Sequence, residues 1–119
     1  MGTAMTSARS SEELFDLLVT ASRDAFSKAY FESAYHSLAA ALHCADSMHD
    51  EARILEVEAL AEQQLGHLNS VAPGHRIATD AAAERGHPGV YAVLLTHARS
   101  MVLRNQARQT LTRIHETGS

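Results

Sequence analysis

Tryptophan is absent from this chain, and aromatic residues make up only 5% of it. A core with so few large rings must draw heavily on alanine, which favours closely packed helices over a β-sandwich. Valine, isoleucine and threonine nowhere alternate over the length of a strand, so no sheet is expected. There is one cysteine, Cys44. It cannot close an internal disulfide, and its isolation fits a reducing cytoplasm. No run of about 18 apolar residues occurs, and no basic start leads into an apolar stretch. Neither a membrane span nor a signal peptide is therefore expected. The chain also lacks a P-loop, a GxGxxG turn, a CxxC pair, an HExxH helix and a nucleophile elbow. Lysine is nearly missing, since nine of the ten cationic residues are arginine. Together with abundant alanine, that bias points to a GC-rich bacterial genome.

What remains is a chain of 119 residues, 45% apolar and 20% charged, the size and balance of one folded domain. Its net charge of −4 gives no general attraction to nucleic acid. The clearest element is the stretch 29–45. Phe31, Ala34, Tyr35, Leu38, Ala41, Leu42 and Ala45 recur at spacings of three and four, so they share one face of a helix. His36, Ala40, His43 and Ser47 occupy the opposite face. The small residues in the stripe allow a neighbouring helix to approach closely, which makes this the central helix of a bundle or hairpin stack.

The order Ala29, Phe31, Ala34, Leu38, Ala41, Leu42 resembles the second helix of a tetratricopeptide repeat, a helix-turn-helix unit of about 34 residues. The helix before it fits less well. Leu18 stands where the family prefers tryptophan, Ala21 where it has leucine, Ser22 where it has glycine and Ala25 where it has tyrosine; Asp46 replaces its proline. The resemblance covers one repeat, roughly 15–48, and implies a helical hairpin within a small all-α fold. In that family the flank of the first helix lines a concave binding surface. Carried over, this implies Asp16, Val19, Arg23, Phe26 and Ser27 as partner-binding residues.

About five helices are predicted. Residues 1–9 show no apolar periodicity and are read as a disordered tail, with the helical domain at 10–116. Ser10 or Ser11, with Glu13, forms a capping box for a helix over 12–27. Leu14, Leu17, Leu18, Ala21 and Ala25 make its main stripe. Phe15, Val19 and Phe26 lie on a flank that is either covered by later helices or open to a partner. After a turn at 28–30 comes the central helix. Asp50 then caps a third, acidic helix over 51–68 with the stripe Ile54, Val57, Ala61, Leu65, Leu68. Pro73-Gly74 marks a loop, 76–85 a short helix ended by Gly86, and Pro88 the start of a last helix to about 116.

That last helix changes face. Its stripe runs Val90, Val93, Leu94, His97, Ala98, Met101, and the same face then meets Arg104 and Arg108. The apolar residues move to Leu103, Ala107, Leu111 and Ile114. Either the helix breaks near Arg104-Asn105, or its last turns leave the core. The displaced residues call for a cover and are candidates for self-association, so a homo-oligomer is expected. The helix is basic where the third is acidic, and the two are read as neutralising each other, within the fold or across a dimer. RNA binding is disfavoured because no aromatic stacking residues accompany the arginines.

Eight histidines stand out: 36, 43, 49, 67, 75, 87, 97 and 115. Glu32/His36 and His43/Asp46 have helical ligand spacing, but no pair recurs on a second helix to complete a metal site. His97, on the apolar stripe, reads as a hydrogen-bonded core residue. Arg108 and His115 have an Arg-x6-His spacing loosely like that of certain helical ribonucleases. The sequence thus points first to a non-catalytic, all-α interaction module with no cofactor, whose partner is a protein or a second copy of itself. A histidine-using metal or ligand binder and an Arg108/His115 nuclease are the alternatives.

Overall fold

A computed structural model describes residues 7–117, with side chains from 10 to 116. The first six residues, with most of the tail and the N-terminal Met-Gly, lie outside the described residues. Five helices follow one another: α1 (Ser7–Ser27), α2 (Phe31–Ser47), α3 (Glu51–Val71), α4 (Thr79–Glu84) and α5 (Val90–Thr117). No strand occurs among the described residues. The fold is all-α, as the spacing of apolar residues requires.

Two near-identical turns set the geometry. After α1, the Tyr30 N–H donates to the Ala25 carbonyl at 2.9 Å and the Ala29 N–H to Phe26 at 3.0 Å. After α2, Asp50 donates to Ala45 at 3.1 Å and His49 to Asp46 at 3.0 Å. Both are Schellman closures, which need a left-handed residue just past the helix. Ala29 (φ 66°) and His49 (φ 53°) fill that position, although neither is glycine. Asp50 then starts α3 as its N-cap: its side chain accepts from the Arg53 N–H at 3.1 Å.

The helices pack in chain order, α1 on α2, α2 on α3 and α3 on α5, with α5 also touching α2. Ala34, Leu38, Ala41, Leu42 and Ala45 of α2 are buried, so the central helix faces inward along the expected stripe. Ile54, Val57, Ala61 and Leu68 do the same on α3. The loop 72–78 is pinned at both ends: Asn69 donates to the Thr79 hydroxyl and accepts from the Thr79 N–H, both at 2.9 Å.

Several sequence expectations are corrected. α1 begins at Ser7, so Ser10 and Ser11 sit inside the helix and the expected capping box does not form its start. On α1 the inward face is Phe15, Val19 and Ser22, all buried, while Leu14 (50% exposed) and Leu17 (67%) of the expected main stripe face outward. Of the flank, Phe15 and Val19 are covered and Phe26 is half-buried, while Leu18 of the leucine row packs against the edge of the core. α3 runs to Val71, three residues further than expected, and α4 begins only at Thr79. Pro88 lies before α5 instead of within its first turn. His97 is exposed. The core face of α5 is centred on Tyr91, Leu94, Ala98 and Met101, which leaves His97 about a quarter turn off it.

Candidate functional site

α5 is unbroken from Val90 to Thr117, so its last turns leave the core without a break in the helix. Its buried residues end at Asn105, and every residue from Gln106 to Glu116 is exposed. Three arginines link the helix to its neighbours, the last of them one turn past that point. Arg99 pairs with Glu58 of α3 at 3.0 Å, and Arg104 with Asp46 of α2 at 2.7 Å. Arg108 reaches His49, in the α2–α3 turn, at 2.6 Å. Asn105, 5% exposed, donates to Glu51 at 3.3 Å. Arg99–Glu58 is thus the expected ion pair between the basic helix and α3, while Arg104 is neutralised by α2.

The displaced apolar residues lie on the outside. Leu103 is 66% exposed, Leu111 68% and Ile114 59%, and Ala107 is exposed as well. At about 100° per residue these four span less than a quarter turn. Their centre lies about half a turn from Tyr91, Leu94, Ala98 and Met101. Leu103 adjoins Leu55 of α3, itself 43% exposed, at a shallow hollow beside the Arg99–Glu58 pair.

The residues carried over from the tetratricopeptide resemblance separate. Val19 is buried in the core. Asp16 is exposed on α1. Arg23, Phe26 and Ser27 come together with Leu60, Gln63, Gln64 and His67 of α3 around a hollow of about 330 Å³ between the two helices. The Phe26 ring meets Phe31 edge-on at 5.0 Å and His67 at 5.6 Å, and it is half-buried in the wall of that hollow.

A buried polar chain was not anticipated from the sequence. Ser22 donates to the Ala34 carbonyl at 2.7 Å, the Gln64 amide to Ser22 at 3.0 Å and the Tyr91 hydroxyl to Gln64 at 2.6 Å. One row of bonds ties α1, α2, α3 and α5 together. Burial, with a smaller contribution from Tyr35, pushes the Tyr91 phenol well above its ordinary range. It therefore remains a donor at any ordinary pH. Every buried side-chain N or O among the described residues finds a partner.

For the chemical alternatives, the geometry brings little together. Among the described residues no three His, Cys, Asp or Glu side chains converge on a point that could hold a metal ion. Arg108 and His115 are seven residues apart on one helix, about 10 Å along its axis, and Arg108 turns to His49. Cys44, half-buried, donates to the Ser11 carbonyl at 3.3 Å. No described helix is long and apolar enough to cross a membrane. Comparison of the chain with protein-family models, with curated proteins and with solved structures finds no match.

Proposed function

We propose that this protein is a non-catalytic helical interaction module that pairs with a second copy of itself through the outer face of α5. The observation that carries this reading is the row Leu103, Ala107, Leu111, exposed on the face opposite the core and continued by Ile114. A helix apolar on two faces calls for neighbours on two sides, and Leu103, Ala107 and Leu111 stay exposed on the second of them. Resemblance of α2 to a tetratricopeptide helix supports the same class of function, since such hairpins serve as docking scaffolds.

The row is also compatible with its own copy. Leu103 and Leu111 stand four residues either side of Ala107. An antiparallel α5 pair centred on Ala107 would set each Leu103 against Leu111 of the other chain. The small Ala107 at the crossing would let the two backbones approach closely. Such an arrangement is isologous, the same patch used twice about a two-fold axis. No charged residue lies within the row, so like charges are not forced together.

Sedimentation of the full chain tests the proposal. Wild type should sediment as a dimer at about 100 µM, and Leu103→Glu/Leu111→Glu as a monomer with an unchanged helical circular dichroism spectrum. Leu17→Glu, on the outer row of α1, should leave the dimer intact. A monomeric wild type, or a dimer indifferent to the α5 substitutions, would overturn it.

A further inference from the structure

A second surface feature lies away from α5's outer face. Where the start of α2 meets the loop before α4 and the end of α4, the chain forms a half-open hollow of about 470 Å³. That is within the range of small-molecule sites, and it is more enclosed than the grooves on either side of α3. Tyr35, Ile77 and Val90 give it apolar walls, with Ile77 buried and the other two half-buried. Its polar groups are two guanidiniums, Arg76 and Arg85, the imidazoles of His36 and His87, and one carboxylate, Glu32.

These charges do not cancel. Arg76 is paired with Glu32. The hydrogen bond from Arg76 holds the Glu32 carboxyl below its usual range, against a partial desolvation, with His75 and His36 adding to the effect. Glu32 is thus ionised and committed to Arg76. Arg85 instead donates to the backbone carbonyl of Arg76, a neutral acceptor. Among the described residues no carboxylate lies within ion-pair distance of Arg85. A guanidinium has five N–H donors, so most of those on Arg85 remain for a ligand.

We propose that this hollow binds a small organic anion: a carboxylate head on Arg85, and an apolar or aromatic body against Tyr35, Ile77 and Val90. The apolar walls exclude water from one side of the head and strengthen a charge-assisted bond there. Arg76, already neutralised, fixes the Arg85 guanidinium through its carbonyl and so positions it over the hollow. His36 and His87 border the site and supply further polar contact.

The test is a titration of the ¹⁵N-labelled full chain with benzoate, and in parallel with benzyl alcohol, its uncharged counterpart. Benzoate should move the amide signals of 32–36 and 76–90 saturably and leave those of 103–114 in place. Benzyl alcohol should bind at least about tenfold more weakly, the loss of one charge-assisted contact. Arg85→Met, which keeps the aliphatic stem, should weaken benzoate by a similar factor, and Arg85→Lys should recover part of it. Absence of saturable shifts would overturn the proposal. So would equal binding of the alcohol, or benzoate binding indifferent to Arg85→Met. The comparison of the two ligands on wild type decides the matter even if a variant folds poorly.

Discussion

At the scale of single residues, the decisive group is Gln64. It accepts from Tyr91 and donates to Ser22, and all three side chains are almost wholly buried. A buried polar group left without its partner costs about 1–3 kcal/mol, more than the bond itself contributes net. Tyr91→Phe, which strands the Gln64 carbonyl oxygen, should therefore lower stability by about 1–3 kcal/mol in urea unfolding, with the denaturant slope unchanged. Adding Gln64→Leu removes the stranded acceptor, so the double variant should lose less than the sum of the two single losses. Strict additivity would mean that the chain of bonds does not act as a unit. The sequence could not disclose this network. Ser22 and Gln64 each read as an ordinary polar position, and their meeting depends on α1 and α3 coming together 42 residues apart. Ser22 does carry a signal in hindsight. It is small, it follows the phase of Phe15 and Val19, and it allows α1 to come near enough to bond the Ala34 carbonyl.

At the scale of elements, periodicity located the helices well and chose their faces less well. α2 has a single apolar face, and its buried residues were legible one by one. α1 and α5 each have two. On α1 the row with more leucines lost to the row that combines Phe15 with the small Ser22. The Phe15 ring sits at 0% exposure with the Arg53 guanidinium 5.4 Å from its centre. Counting apolar residues cannot weigh one large, well-covered ring against several leucines. The turns after α1 and α2 were placed correctly, but their strain was not visible. Ala29 adopts a left-handed conformation that costs an L-residue about 1–2 kcal/mol, and its side chain is exposed. Ala29→Gly removes that strain while giving back some backbone freedom to the unfolded chain. It should raise stability by about 0.5–1 kcal/mol, read as a higher urea midpoint. A drop would mean that the turn relaxes in solution to a geometry alanine prefers. His49 holds the equivalent position but also meets Arg108, so its replacement would mix two effects.

At the scale of the whole molecule, the sequential stacking of α1, α2, α3 and α5 leaves a broad and thin body, 56 × 41 × 18 Å. Four helices laid side by side cannot cover every apolar face. The outer rows of α1 and α5 follow from that shape as much as from the residues themselves. An association that covers one of them links folding to concentration, because the dimer is favoured by mass action and the unfolded chain is not. If the α5 faces pair, the thermal midpoint of wild type should rise steadily between about 1 and 100 µM, while that of Leu103→Glu/Leu111→Glu stays fixed. Leu17→Glu should keep the dependence, since α1's row lies outside the proposed contact. Benzoate should raise the midpoint of wild type and of the α5 variant by the same amount, because the hollow beside Arg85 and the outer face of α5 share no residue. A concentration-independent midpoint in wild type would place the exposed row of α5 among surfaces that this chain leaves to some other molecule.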